Sequence, residues 1–381
     1  MLKSPMQREI VESGVLEIVP SDFCKFFQSS RGITGTEATY RALLYSHFLQ
    51  LGIPSDDMVA EYPATTGGML DLAICNGSAV EHLFEIKGGA YGNRHALKDE
   101  IKEGILEKDL RKLEATGTAS TKRWMVALDL SSIGSHLNPS RLEWLARECS
   151  KRSITLLYFD LDKEIEIAKV FHPRGQVDEI RIPPTDEQRG VGAEVLDSLG
   201  SDAFWQGIPG VRNGLHEQNS VLRAYGALLA QGLSTRSISL ETYFQFAKGK
   251  GEEGNNRPDI AVFKPEIKGM FNLYRYGKYS DPLDPIKVHY LLALIEIKVA
   301  PNRSQVEEDI QKLSRWRDSV YKSCEKNGIT YPDYSKYIFV GFCTSSEVAS
   351  LAADRGKELG IDVYCTGSPR NHGRLERAEN F

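Results

Sequence analysis

No stretch of the chain approaches the roughly 20 apolar residues that a membrane-crossing helix requires. The polar opening MLKSPMQREIVESG has no signal-peptide apolar region, so a cytoplasmic protein is expected. Cysteine is sparse, and the six residues at 24, 75, 149, 324, 343 and 365 form no CxxC pair. That pattern speaks against zinc ligands or a disulfide framework and reads as isolated thiols of a reducing compartment. The histidines contain no HExxH spacing. Neither a P-loop, a helix-turn-helix nor a zinc finger is evident. An excess of positive charge is missing too. The net charge of -5 argues against a polycation that coats nucleic acid, but it leaves room for a nucleic-acid enzyme whose carboxylates gather around a metal.

What the chain does have is length and repetition. Its 381 residues, 41% of them hydrophobic, suffice for two domains with a core each. Shifted by 180 positions, the first part matches the second. Val15-Leu16 falls on Val195-Leu196, Ser21-Asp22 on Ser201-Asp202, Glu37 on Glu217, Gly52 on Gly232 and Glu61 on Glu241. The shift then changes at loops while the order continues. Asp71 matches Asp259, Glu85-Ile86-Lys87 matches Glu296-Ile297-Lys298, and Asp109 to Leu113 matches Asp309 to Leu313. Further on, Met125 to Leu128 matches Phe339 to Phe342, and Leu145 to Tyr158 matches Leu351 to Tyr364. The preserved order, more than any single identity, indicates a duplication. Pro183-Pro184 restricts the chain and marks a linker, giving an N-terminal domain at 1–183 and a C-terminal domain at 184–381.

The spacing of apolar residues predicts the same elements in each copy. In the first, 36–51 reads as a helix, with Leu44, Phe48 and Leu51 apolar and Gly52 as its stop. Strands follow at 69–75 and 80–87, a helix at 97–114, a strand at 123–130, a helix at 139–151 and a strand at 153–160. The second copy repeats this with 216–231, 258–263, 290–299, 304–321, 336–343, 346–359 and 361–365. The expected class is α/β, each domain a central mixed β-sheet flanked by helices.

Glu85 and Lys87 are two apart in a strand, so both project from one face, with Leu83 on the same side and Phe84 and Ile86 on the other. Glu296 and Lys298 repeat the arrangement. A carboxylate and an ammonium in an apolar strand are costly unless they are paired or bind something. Asp71 lies on the preceding strand. A plain two-residue hairpin at Asn76-Gly77 would pair Asp71 with His82 and turn Glu85 to the opposite face. An odd loop, such as Asn76-Gly77-Ser78, or a bulge is required to bring Asp71 and Glu85 together. Glu37 and Glu217 start their helices at the end of an apolar stripe; each is either a favourable first-turn acid or a group that reaches the sheet edge. An Asp and a Glu close together make a hard oxygen site suited to Mg²⁺, with Mn²⁺ as a substitute. The ion polarises a phosphate oxygen and lowers the pKa of water, while a lysine orients that water or offsets growing charge. The chemistry implied is phosphodiester hydrolysis.

These residues resemble the PD-(D/E)XK nuclease superfamily, with its restriction-endonuclease-like fold. The second copy has Arg257-Pro258-Asp259 followed by Glu296-Ile297-Lys298, proline included; the first has Met69-Leu70-Asp71 followed by Glu85-Ile86-Lys87 and departs at the proline. The resemblance covers roughly 36–130 and 216–343. It implies two tandem restriction-endonuclease-like domains, with Asp71, Glu85, Asp259 and Glu296 as metal ligands and catalytic acids. Lys87 and Lys298 are then the catalytic lysines, Glu37 and Glu217 accessory helix acids that also bind the metal, and the carbonyls of Ile86 and Ile297 further ligands.

Thirty-seven positions separate Asp259 from Glu296, against 14 from Asp71 to Glu85. The excess holds Phe271 to Tyr279, whose aromatic residues with Arg275 and Lys278 suit a nucleic-acid-contacting arm or a hairpin packed on the protein. Lys112 and Lys312 sit on amphipathic helices as i,i+3 partners of Asp109 and Asp309 or as phosphate contacts. Arg94 and Arg257 are further candidate contacts, and Gln305 follows the second motif without a counterpart in the first. The expected activity is a Mg²⁺-dependent DNA endonuclease, each site cutting one strand of a duplex as in a dimeric enzyme, with a restriction or anti-phage role by fold analogy. A non-catalytic nucleic-acid-binding protein and an RNA or single-strand nuclease are the competing expectations.

Overall fold

The computed structural model describes residues 37–88, 101, 104–129, 137–160, 166–182, 199, 201, 204–205, 217–233, 237–241, 258–264, 291–331, 335–343, 345–366 and 375–377. The chain divides into two compact units, the first running to Asp186 and the second from Glu187.

In the first unit, α1 (Glu37–Gln50) precedes three strands, β1 (Met58–Pro63), β2 (Met69–Asn76) and β3 (Ala79–Gly88). Then come α2 (Ile105–Ala115), β4 (Lys122–Asp129), α3 (Pro139–Lys151), β5 (Ile154–Asp160), β6 (Glu166–Phe171) and β7 (Val177–Ile182). The strands lie side by side in chain order. β1, β2 and β3 are antiparallel neighbours, β3, β4 and β5 run parallel, and β6 and β7 return to antiparallel.

The second unit has α4 (Glu217–Ala230), β8 (Ile238–Leu240), β9 (Ile260–Phe263), β10 (Leu291–Val299), α5 (Arg303–Lys326), β11 (Lys336–Phe342), α6 (Ser346–Leu359), β12 (Asp362–Thr366) and β13 (Leu375–Arg377). Its sheet runs in order from β8 to β13, parallel across β10, β11 and β12 and antiparallel outside them. Both units are therefore α/β, each a mixed sheet among helices, and they share one strand order up to the β7 edge of the first.

The parallel centre reads as near-continuous apolar sequence because helices cover its faces. In the first unit, Leu83 on β3 packs with Leu106, Leu110 and Leu113 of α2 and Leu145 and Cys149 of α3. In the second, Leu294 on β10 packs with Val306, Ile310 and Leu313 of α5 and Ala349 and Ala352 of α6. Residues two apart on a strand share a face, so Glu85 and Glu296 project to the side of α2 and α5. Phe84 turns the other way and meets Phe48 of α1 at 5.4 Å between ring centroids. Helix α1 is buried continuously from Ala38 to Phe48, as expected of a helix covered all round.

The structure departs from expectation at sheet margins. β1, β6, β7, β8 and β13 fall where no strand was expected; β8 and β13 span 3 residues each, too few to display a period. The helix expected at 97–114 takes its described form at Ile105–Ala115, and the one expected at 304–321 runs on to Lys326. Gln305 belongs to a capping box with Asn302, a structural role. The cysteines at 75, 149, 324, 343 and 365 are free thiols. Among the described residues no helix is long and apolar enough to cross a membrane.

Candidate active site

The hairpin of β2 and β3 decides whether the acids meet. Asn76 pairs with Ala79 across a two-residue Gly77-Ser78 turn, and Cys75 pairs with Val80. The register then shifts, so that Ile74 pairs with His82 and Leu72 with Phe84. Glu81 is the extra residue of this bulge. Continued by one residue, the register sets Asp71 opposite Glu85, on one face. The required device is thus a bulge, not a three-residue turn. In the second unit Leu294 pairs with Ala261 and Ile295 with Ile260, which sets Asp259 opposite Glu296 in the same way.

Beyond these pairs the aspartates take over the strand hydrogen bonding. Asp71 Oδ2 accepts the Ile86 N–H at 2.7 Å, and Asp259 Oδ2 accepts the Ile297 N–H at 2.6 Å. The charged ring around each glutamate also recurs. In the first unit Glu85 Oε1 lies 3.1 Å from Lys87 Nζ and 3.2 Å from Lys112 Nζ. Asp109 closes the ring at 3.4 Å from Lys87 and 2.6 Å from Lys112. In the second, Glu296 Oε1 lies 2.6 Å from Lys312 and 3.8 Å from Lys298, and Asp309 lies 3.2 Å from Lys312. The helix acids reach the strand lysines: Glu37 is 3.8 Å from Lys87 and Glu217 is 2.9 Å from Lys298. Glu37 Oε1 also accepts the Gly88 N–H at 3.2 Å.

Burial and crowding set the electrostatics. Burial, reinforced by the Asp71 charge, pushes the Glu85 carboxyl up to about 8. Burial pushes Glu37 up to about 7 although Lys87 opposes it. Asp259 is held well above the carboxylate range by burial and by Glu296, and Glu296 is raised by burial despite Lys312. Burial works against the lysine charges, yet the surrounding carboxylates outweigh it and raise Lys87, Lys112, Lys298 and Lys312.

Of the expected site residues, the structure brings Glu37, Asp71, Glu85, Lys87 and Lys112 together in one unit, and Glu217, Asp259, Glu296, Lys298 and Lys312 in the other. Ile86 and Ile297 sit between the paired groups. Arg94, Arg257, Arg275 and Lys278, with the 271–279 arm, lie outside the described residues. Five residues were not anticipated as parts of the site. Asp109 and Asp309 were expected only as ion-pair partners on a helix; their recurrence was the available signal. Glu61 and Glu241 stand across from Asp71 and Asp259 and both adopt positive φ, 51° and 47°, a backbone strain that concentrates at functional sites. Arg41 of α1 faces Asp71 Oδ1 at 3.5 Å and Glu61 at 3.8 Å, and no sequence signal marked it.

The donor set suits a hard divalent cation. Glu85 Oε2 and Glu296 Oε2 are buried without a hydrogen-bond partner, a cost that a bound cation relieves. Among the described residues no three His, Cys, Asp or Glu side chains converge as a metal-holding group. Mg²⁺ does not require one, since it is commonly held by one or two carboxylates and keeps several waters. No protein-family model, curated protein or solved structure matches this chain.

Proposed function

We propose that the chain is a metal-dependent phosphodiesterase with two sites of the PD-(D/E)XK kind, acting on DNA. One observation carries this reading: two sequence-distant copies build the same constellation of helix acid, strand aspartate, glutamate and lysine, each leaving a buried glutamate oxygen without a partner. A purely structural ion pair gains nothing by leaving that oxygen unsatisfied, whereas a cation site leaves it for the ion.

Asp71 with Glu85, and Asp259 with Glu296, would hold the cation. When bound, Mg²⁺ supplies a Lewis acid for the scissile phosphate and makes water a better nucleophile. The strand lysines are held charged beside the glutamates, where they offset negative charge growing on the phosphate. Glu37 and Glu217 fix the positions of those lysines through the ion pairs described. Lys112 and Lys312 are partly exposed, with side chains 20% and 18% accessible, so each would be placed to contact a substrate phosphate. The closed ion-pair ring favours a second reading, a nucleic-acid-binding protein whose lysines have replaced the metal.

The test is cleavage of duplex DNA, single-stranded DNA and RNA by the full chain with Mg²⁺ or Mn²⁺. Cleavage that EDTA abolishes is expected, with DNA as substrate. Absence of cleavage of any of the three under every metal condition contradicts the proposal and favours the binding protein.

A further inference from the structure

We infer that the two copies are unequal: the second is the tighter divalent-cation site, and the first carries an arginine that competes for its aspartate. This rests on the metal-dependent reading above and adds an order of occupancy to it.

The difference lies one turn into α1 and α4. Arg41 follows Glu37 by four positions, so both fall on one helix face. Its side chain is 8% exposed, and its guanidinium lies 3.5 Å from Asp71 Oδ1 and 3.8 Å from Glu61 Oε1. The other oxygen of Asp71 takes the Ile86 N–H. Both oxygens of the first aspartate are therefore engaged, one of them by a cation that does not deprotonate in proteins. A metal entering there works against a fixed positive charge in a poorly solvated place.

At the position matching Arg41, the second copy has Val221, a buried aliphatic residue. Glu241, which matches Glu61, receives the neutral amide of Gln218 at 3.3 Å. Asp259 Oδ2 takes the Ile297 N–H, and its Oδ1 has no partner among the described residues. The orphaned Glu296 Oε2 belongs to the residue across from it. The strand lysine also leans differently. Lys298 is closer to Glu217 than to Glu296, whereas Lys87 is closer to Glu85 than to Glu37. Val221 in place of Arg41 leaves the second aspartate with no guanidinium at the position where the first has one, and so more open to a divalent ion.

The measurement is Mn²⁺ binding to the full chain, by calorimetry and by the electron paramagnetic resonance signal of free Mn²⁺. Two classes of site are expected, separated by on the order of tenfold or more, as one nearby charge at an effective dielectric near 20 warrants. Asp259→Asn should remove the tighter class, and Asp71→Asn should remove only the weaker. Arg41→Met should tighten the weaker class by roughly tenfold, while Arg41→Lys, which keeps the charge, should not. If Arg41→Met does not fold, the two aspartate variants still decide. Two classes of equal affinity, or loss of the tighter class in Asp71→Asn, overturn the inequality and leave the metal-dependent reading standing. A wild-type chain that binds no Mn²⁺ overturns both.

Discussion

At the scale of the residue, the site turns on burying acids whose charge must be compensated. Glu85 is 2% exposed and has its carboxyl raised from 4.5 to about 8. Between those values the folded protein keeps a proton that the unfolded chain has released. Stability contributed by this group is full below the lower value and is lost as pH rises through the upper one. Glu85→Gln, uncharged throughout, should flatten that part of the metal-free stability profile; urea melts of parent and variant from pH 5 to 9 read the difference, and parallel profiles would contradict the assignment. Glu85 and Lys87 were legible in the sequence because a period of two forces them onto one face, and the repeat made them stand out from ordinary charged strands. Arg41 was not legible: its partner Asp71 is distant in sequence, and the repeat places a valine at its counterpart. Glu61 and Glu241 did align, but β1 was not expected as a strand and β8, beside Glu241, spans only 3 residues.

At the scale of the element, the β3–β4 pairing fixes the outer end of the first site. Gly88 has φ 96°, and a Cβ there would meet the Leu128 carbonyl oxygen at 2.0 Å. Gly88→Ala should therefore destabilise the first unit by roughly 1–3 kcal/mol or more, the range for forced overpacking and strain. It should also disturb the Gly88 N–H that holds Glu37; a denaturant midpoint unchanged from the parent would contradict this. The second copy has Val299 after its lysine, so the glycine is a need of one copy and not of the shared chemistry. The central helices and strands were readable from their apolar periods, since sheet and helix layers impose them. The Glu81 bulge was readable only as a requirement. Periodicity shows that Asp71 and Glu85 must share a face, but not which residue absorbs the offset.

At the scale of the whole molecule, each unit holds its own core around its own parallel strands. Leu110 is fully buried in the first. Leu110→Ala should cost roughly 2–5 kcal/mol there while leaving the second unit's transition in place. Calorimetry should show one of two transitions moved, and a joint shift of both would contradict separate cores. The duplication itself was legible in the order of short matches, and the shared strand order and repeated hydrogen bonds give it a structural form. The different loop lengths hid the register of the later matches, because insertions change the shift without changing the sheet.

The central claim is that Lys87 and Lys298 each serve a separate metal-dependent hydrolytic site, and supercoiled plasmid cleavage at saturating Mg²⁺ tests it most directly. The parent should yield linear product, Lys87→Ala and Lys298→Ala should each stop at nicked circles, and the double variant should lose activity by roughly 10²–10³-fold, the scale of removing a charge-stabilising donor. A double variant that cleaves as well as the parent would contradict the account.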